Sequence, residues 1–182
     1  VWESRMGTWN LKGLRGSVLE ELVNHTNEKY KEQGLALIQK IPTSIKPVRF
    51  DKTTRQITLA YFDQKSTVDY MGAVQGYPVC FDAKECGNDV FPLHNIHEHQ
   101  IEFMERFEKQ GGISFLLIYF THRQACYFMS FEETMKYWNR QLNGGPKHFK
   151  FEELDAGFFV PMKKGMILHY LECLNKLLAG RR

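Results

Sequence analysis

Two acidic residues and a lysine flank one predicted β-hairpin, and this spacing restricts the fold more than any other feature of the chain. Asp69 precedes a short apolar segment, and a second apolar segment, residues 77–81, runs directly into Asp82. Gly76 separates the two segments at the position of a hairpin turn. If both segments are strands, Asp69 and Asp82 lie side by side, and Lys84 projects from the same strand face as Asp82.

Two carboxylates and an ammonium group in one small volume indicate a particular chemistry. Carboxylate oxygens are hard ligands that hold Mg²⁺, and a lysine beside them can orient or polarise a water molecule. This combination is typical of metal-dependent phosphodiester cleavage. The spacing alone is equally compatible with a hairpin whose charged side chains are only solvated, so the interpretation depends on the surrounding sequence.

The composition favours one folded domain and gives no general signature of nucleic-acid binding. The chain has 182 residues, of which 43% are hydrophobic and 14% aromatic, enough for a substantial core. The 24 basic and 21 acidic residues leave a net charge of only +3, so DNA binding has to rest on local clusters of cations. No apolar run approaches the roughly 20 residues of a membrane span. Four cysteines without C-x-x-C spacing favour reduced, buried thiols in a cytoplasmic protein.

Hydrophobic periodicity and stop signals predict a mixed order of helices and strands. Ser17 is placed to cap a first helix that ends near Gly34. The other predicted elements, besides the hairpin around Gly76, are a strand at 35–41, a long hairpin at 43–64, a helix from His94 or Asn95 to Gln110, strands at 113–120 and 125–130, a short helix at 131–138 and an amphipathic helix at 166–178.

Gln100 is expected on the buried face of the helix that ends at Gln110. It follows Ile96 by four residues and precedes Phe103 by three, and this spacing places the three side chains together. An inward-facing glutamine needs polar partners. The metal site and ordinary backbone groups are equally good candidates for those partners.

The hairpin at 43–64 alternates cations with apolar and aromatic residues. Its cations are Lys46, Arg49, Lys52 and Arg55. Phosphates attract positive charge and exposed bases stack on aromatic rings, so a hairpin that projects from the domain suits DNA. An ordinary amphipathic hairpin with one solvated face is the alternative. Residues 1–14 are expected to form a flexible basic arm.

Other catalytic signatures are weak or missing. His94, His97 and His99 form an H-x-x-H-x-H pattern, which differs from the i,i+4 pair of a zinc-protease helix, and no cysteine stands at ligand spacing. We expect these histidines to contact phosphates or to cap the helix. The chain contains no G-x-x-x-x-G-K, G-x-G-x-x-G or G-x-S-x-G motif, so it lacks the usual signatures of nucleotide hydrolysis, dinucleotide redox chemistry and serine hydrolysis.

These features together resemble the PD-(D/E)xK nucleases, whose α/β, restriction-endonuclease-like core has the order αβββαβ and a mixed β-sheet. More specifically, the chain resembles the RecU family, the Holliday junction resolvases of Gram-positive bacteria and their phages. The resemblance rests on four motifs, RGSVLEE at 15–21, STVDYMG at 66–72, FDAKE at 81–85 and FPLHNIHEHQIE at 91–102. The last of these motifs is the most specific.

The resemblance implies a Mg²⁺-dependent, structure-selective endonuclease that nicks four-way DNA junctions symmetrically in recombination and repair. It implies that Asp69, Asp82 and Gln100 surround Mg²⁺, with Mn²⁺ as a substitute, and that Lys84 stabilises the transition state. Archaeal junction resolvases are similar over a smaller part of the chain. Both families imply Glu20 as a third acidic group near the metal. Glu20 is equally well explained as an acid in the first turn of a helix.

The resemblance also implies partners and a domain plan. RecU-like enzymes act as homodimers on branched DNA, with a recombinase as a candidate partner and no membrane association. Residues 1–182 then form a single nuclease domain, the hairpin at 43–64 is a protruding β-hairpin stalk that inserts at the junction centre, and 140–182 is a C-terminal extension with a helix. The expected DNA contacts are Arg15, Lys40, Lys46, Arg49, Lys52, Arg55, Tyr61 and Phe62.

Two positions depart from the RecU pattern. Asp82 stands where RecU proteins usually carry glutamate, and the shorter side chain moves the carboxylate by about one C–C bond. Val68 stands where the family often has a threonine that helps to bind the metal, and valine offers no oxygen. These departures predict weaker metal binding or an altered metal preference. Two alternatives stay open: a broader-range phage or restriction-like nuclease, and a junction-binding protein that has lost catalysis.

Overall fold

Strands of two small sheets and one large sheet alternate with four helices in the computed structural model, which describes residues 17–62, 67–162 and 167–180, without the side chain of Phe62. In chain order the elements are α1 (Val18–Glu32), β1 (Leu37–Lys40), β2 (Ile45–Asp51), β3 (Gln56–Phe62), β4 (Tyr70–Val74), β5 (Tyr77–Cys86), β6 (Val90–Pro92), α2 (Glu98–Lys109), β7 (Ile113–Phe120), β8 (Ala125–Ser130), α3 (Phe131–Leu142), β9 (His148–Lys150) and α4 (Tyr170–Gly180).

The large sheet has five strands in the described residues, in the order β1-β4-β5-β7-β8. Strands β5 and β7 are parallel, and the other neighbouring pairs are antiparallel. A parallel pair needs a crossover connection, which α2 supplies here. With α1 in front, the elements α1, β1, β4, β5, α2 and β7 follow the αβββαβ order expected from the sequence, and the mixed restriction-endonuclease-like core is therefore confirmed.

The sheet separates two hydrophobic layers, and this separation decides which residues reach the site. Phe81 of β5 packs in the layer that includes α1 and α4, whereas its neighbour Cys80 packs in the layer that includes α2 and α3. Because successive strand residues point to opposite faces, Asp82 and Lys84 belong to the same face as Cys80. The catalytic candidates of β5 therefore face α2.

Helix boundaries differ from the sequence prediction by a few residues, with local causes. Helix α2 begins at Glu98, later than predicted, because residues 93–95 form a separate 3₁₀ turn. Helix α3 continues to Leu142, beyond the predicted end at 138, and Gly144 at φ +83° marks the stop that follows it. The predicted first residue of the last helix lies outside the described residues, and the helix itself begins at Tyr170.

Strands β2 and β3 pair only with each other and form a sheet of their own. Every apolar side chain quoted for this hairpin is about half exposed, from 46% for Ile57 to 55% for Phe50. At its tip the Asp51 carboxylate accepts hydrogen bonds from the backbone N–H groups of Thr53 and Thr54, which closes the predicted turn. The hairpin at 43–64 is therefore present and solvent-exposed across its described part, 45–62.

The last helix completes the core instead of forming a separate appendage. Tyr170 of α4 packs edge-to-face on Tyr30 of α1, with ring centroids 5.1 Å apart, and its hydroxyl donates to Asn27 Oδ1. Strand β9 pairs with β6. The four cysteines are free and buried, as expected. None of the helices in the described part of the chain is long and apolar enough to cross a membrane. The flexible arm predicted at 1–14 lies outside the described residues.

Candidate active site

The two aspartates predicted to lie side by side do so, and backbone hydrogen bonds hold them in place. The β4–β5 register pairs Tyr70 with Phe81, which places Asp69 opposite Asp82 at the end of the ladder. The backbone N–H of Asp69 donates to Asp82 Oδ1 at 3.1 Å, and the N–H of Ala83 donates to Asp69 Oδ2 at 3.0 Å. Each carboxylate is therefore oriented by the backbone of the other strand.

Lys84 completes the predicted convergence of charges. Its Nζ lies 2.5 Å from Asp82 Oδ2 and 3.3 Å from Gln100 Oε1. The Asp82 side chain is fully buried and the Lys84 side chain is 17% exposed, so this ion pair is largely shielded from solvent. A buried carboxylate is tolerated when it is paired and hydrogen-bonded, and both conditions are met here.

Gln100 lies on α2 and faces the aspartates, as its helical spacing predicts. Its Nε2 donates to Asp82 Oδ2 at 3.0 Å, and its Oε1 accepts from the backbone N–H of His97 at 3.1 Å. The second contact is half of a capping box at the start of α2. The polar partners that an inward-facing glutamine requires are thus both the site and the backbone.

Burial and the neighbouring carboxylate raise the pKa of Asp69. Desolvation is the larger cause and the negative charge of Asp82 the next, and together they bring the pKa from 3.8 to about 6, against the lowering effects of the Ala83 N–H and Lys84. Two carboxylates this close disfavour full ionisation of both. A bound cation would relieve that repulsion, so the donor set fits a divalent metal ion.

The chemistry of the site matches Mg²⁺ better than zinc. Asp69 and Asp82 offer only oxygen ligands, and Mg²⁺ is commonly held by one or two carboxylates together with waters and substrate phosphates. Within residues 17–62, 67–162 and 167–180, no group of three or more His, Cys, Asp or Glu side chains is placed to hold a metal ion. The site therefore has room for substrate oxygens in the coordination shell, and no closed protein cage surrounds it.

Glu20, expected as a third acidic group near the metal, is engaged elsewhere. Its carboxylate forms an ion pair with Lys40 of β1. Lys40 is the cross-strand partner of Tyr70, which packs in the α1 layer, so the ion pair lies on that face of the sheet and the aspartates lie on the other. Lys40, expected as a DNA contact, is thus paired with an acid beside the site.

Glu85 is a positioning residue that the sequence analysis quoted within a motif without giving it a role. Its Oε1 accepts a 2.7 Å hydrogen bond from the backbone N–H of Leu19 in the first turn of α1. Ser17 accepts from the N–H of Glu20 at the same helix end. An acid near the first turn of a helix follows the general preference for negative charge there, but a contact 66 positions away in sequence has no local signal.

The stalk residues proposed for DNA divide between the two faces of the hairpin. Cross-strand partners share a face, and one face, here called the cationic face, contains the pairs Lys46–Tyr61, Arg49–Leu59 and Phe50–Ile57. The opposite face contains Ile45–Phe62, Pro47–Ala60 and Asp51–Gln56. Lys52 and Arg55 lie at the tip, where Arg55 has a φ of +55°. Arg15 lies outside the described residues.

The histidines lie at the start of α2 instead of forming a metal cluster. The rings of His97 and His99 are stacked, with centroids 5.4 Å apart, and His97 occupies the N-cap position. The expectation that one of them caps the helix is confirmed. The expectation of a phosphate contact stays a prediction.

A family model described as "RecU: Recombination protein U" matches residues 14–176 of this chain. A Holliday junction resolvase RecU of Geobacillus sp. is 37% identical over 170 residues, which cover 91% of this chain and 85% of the relative. The same-named protein of Leuconostoc mesenteroides is 41% identical over 172 residues, 92% of this chain and 84% of the relative. That of Limosilactobacillus reuteri is 38% identical over 172 residues, with 92% and 84% covered.

One solved structure also matches with low similarity. Hjc, a Holliday junction resolvase from Archaeoglobus fulgidus, gives a TM-score of 0.34 at 8% sequence identity, over 62% of this chain and 74% of Hjc. A score of this size supports no argument about geometry or activity, so the family assignment rests on the sequence matches.

Proposed function

This chain belongs to the RecU family of Holliday junction resolvases, and we propose that it nicks branched DNA at the site formed by Asp69, Asp82 and Lys84. The observation that carries this assignment is the meeting of two carboxylates and one ammonium group at the β4–β5 hairpin. Nucleases of this family generally use a divalent metal ion. Our proposal is that the ion is Mg²⁺, with Mn²⁺ as a substitute, and that Asp69 and Asp82 hold it.

The roles of the side chains follow from their chemistry. When bound, Mg²⁺ supplies Lewis acidity toward a phosphoryl oxygen and lowers the pKa of a water molecule. Lys84 presents ammonium N–H donors at the edge of the site, where they can orient the attacking water and offset the negative charge that develops on the phosphate. Buried Asp82 keeps that ammonium in place through a 2.5 Å contact. The backbone donors of Asp69 and Ala83 keep the two carboxylates from rotating apart.

The stalk supplies the proposed recognition of junction structure. The cationic face combines Lys46 and Arg49 with the half-exposed aromatic rings of Tyr61 and Phe50. Cations bind phosphates irrespective of base sequence, and aromatic rings stack on bases that have left the duplex. A branched junction offers both groups at its centre, whereas an intact linear duplex offers only phosphates.

Symmetric cleavage implies a pair of active sites. We propose a homodimer, because a single chain contributes one Asp69–Asp82 pair in its described part and two strands have to be nicked. A cytoplasmic location and a recombinase partner belong to the same proposal, since a chromosomal junction and the protein that forms it occur together in a bacterial cell. The proposed roles of Arg15, Lys40, Lys52, Arg55 and Phe62 as further DNA contacts rest on the resemblance.

The first experiment is a cleavage assay on the purified full chain. A mobile four-way junction and a linear duplex of the same sequence are incubated with Mg²⁺, with Mn²⁺ or with chelator, and the products are separated on a denaturing gel. Paired symmetric nicks that require the metal and occur on the junction alone are the expected result. Equal cleavage of both DNAs would indicate a broader-range nuclease, and tight junction binding without nicks under every condition would overturn the catalytic assignment.

A further inference from the structure

We propose that Gln100 is a positioning residue that fixes Asp82 and Lys84, and that it is not a ligand of the metal ion. This proposal rests on the function proposed above and replaces the ligand role that the RecU resemblance implied for Gln100. Its basis is the direction in which the carboxamide of Gln100 points, which three independent contacts determine.

The chemical nature of each partner identifies the two ends of the amide. The backbone N–H of His97 and the ammonium of Lys84 can only donate, and both contact Oε1 of Gln100, at 3.1 Å and 3.3 Å. The Asp82 carboxylate accepts, and it contacts Nε2 at 3.0 Å. A reversed amide would place donors against donors at two positions and acceptor against acceptor at the third. The oxygen of Gln100 therefore faces Lys84 and the helix cap, away from the Asp82 carboxylate.

This orientation makes Gln100 unsuitable as a ligand of an ion held by Asp82. Metal ions bind the oxygen of a carboxamide, and in this structure that oxygen is used by α2 and by Lys84. Turning it toward the carboxylate would remove the helix cap and direct the N–H₂ group at the ammonium. Gln100 is only 6% exposed, so no solvent compensates for those losses.

The same contacts give Gln100 a specific task. Its N–H₂ group and the Lys84 ammonium both bind Asp82 Oδ2, so one oxygen of the carboxylate is fully engaged and the rotation of the carboxylate is fixed. Its oxygen holds the ammonium from the other side. The anchor is the first turn of α2, so the helix sets the position of the catalytic lysine. Outer-sphere hydrogen bonds of this kind commonly orient metal-site ligands.

The test separates the two roles by measuring metal binding and nicking on the same variants. Gln100→Met removes all three hydrogen bonds at similar volume, and Gln110→Met, at the exposed C-terminal cap of the same helix, is the matched control. Mn²⁺ binding is measured by calorimetry on the full chain without DNA, and single-turnover nicking of a four-way junction is measured across a Mn²⁺ titration. Melting temperature and junction binding in chelator verify folding.

A positioning role predicts that Gln100→Met nicks about 10- to 100-fold more slowly at saturating Mn²⁺. Its Mn²⁺ dissociation constant should change by less than about threefold, because both carboxylates remain. In a Lys84→Ala background the same substitution should cost less than about threefold, since the group it positions is already gone. A much weaker Mn²⁺ affinity together with a normal rate at saturation would overturn the proposal, as would full additivity with Lys84→Ala.

Gln100→Glu is the second variant in case Gln100→Met does not fold. Its carboxylate still accepts from His97 N–H and from Lys84, and only the donor to Asp82 is lost. A positioning role predicts slower nicking at saturating Mn²⁺, whereas a ligand role predicts a rate near that of the wild type, because a carboxylate binds Mn²⁺ at least as well as an amide. If the wild-type protein binds Mn²⁺ but does not nick junctions, the proposed function fails, while an unchanged Mn²⁺ affinity of either variant still excludes Gln100 as a ligand.

Discussion

The backbone N–H of Asp69 donates to Oδ1 of Asp82 at 3.1 Å, so the strand that bears one acidic residue orients the carboxylate of the other. Side-chain position in the site therefore depends on the register of the β4–β5 hairpin. A slip of one residue would turn both carboxylates to the opposite face of the sheet. Metal-binding chemistry and strand pairing are specified by the same few backbone hydrogen bonds.

Removing the charge of Asp69 should stabilise the metal-free protein at neutral pH. The folded pKa of about 6 lies above the ordinary 3.8, so the folded state loses stability as pH rises through that interval and carries the full penalty above it. Asp69→Asn removes the ionisation, and we expect about 1–2 kcal/mol of added stability after allowance for partial exposure. Urea unfolding in chelator measures the difference, which should disappear below the ordinary pKa. A difference that is constant with pH would contradict this account.

Asp82→Asn should abolish nicking and leave junction binding largely intact. The substitution keeps the size of a fully buried side chain but removes the charge that pairs with Lys84 and binds the metal. We expect the single-turnover rate to fall more than about a hundredfold, beyond what the loss of an outer-sphere partner causes. Rates on a four-way junction and its affinity in chelator are both measured. Loss of affinity together with activity would contradict the assigned role.

The sequence predicted the hairpin that forms the site because the relevant contacts are local. Asp69, Asp82 and Lys84 are separated by one turn, and the alternation of a strand is enough to place their side chains. Gln100 was predicted to face inward from helical spacing, which is also local. These are the parts of the fold in which a short pattern and its structure share one cause.

The contacts that the sequence did not reveal all join distant elements. Glu85 binds the first turn of α1, and Glu20 pairs with Lys40 through the packing of α1 on the edge of the sheet. No periodicity encodes which acid meets which donor across such distances, since the arrangement follows from tertiary packing. The direction of the Gln100 amide is similar, because it depends on partners from two different elements.

Val68→Thr should destabilise the protein without improving its metal binding. The Val68 side chain is completely buried in the apolar layer that contains Cys80 and Leu116. A threonine hydroxyl in that layer loses its hydration, and we expect a cost of about 1–3 kcal/mol in the free energy of unfolding. Urea unfolding and Mn²⁺ calorimetry check the two halves of the prediction. A higher Mn²⁺ affinity would instead show that the valine has replaced a functional ligand.

Glu85→Ala should weaken the start of α1. The substitution leaves the backbone N–H of Leu19 without its 2.7 Å acceptor and removes a negative charge from the helix N-terminus. The expected loss is about 1–2 kcal/mol in the free energy of unfolding. Glu85→Gln, which keeps an acceptor oxygen, serves as the control and should lose less. Equal losses in the two variants would indicate that the hydrogen bond contributes little.

Neutralising the cationic face of the stalk should reduce the salt dependence of junction binding. If Lys46 and Arg49 each contact one phosphate, each alanine substitution lowers the slope of log affinity against log salt by about 0.7–0.9. Gln56→Ala, on the opposite face of the same hairpin, is the matched control and should leave the slope unchanged. Binding titrations on a four-way junction in chelator, at several salt concentrations, give the slopes. Because the two faces share one backbone, unequal effects identify the face that contacts DNA, and equal effects from all three variants would mean that the hairpin acts through its fold alone.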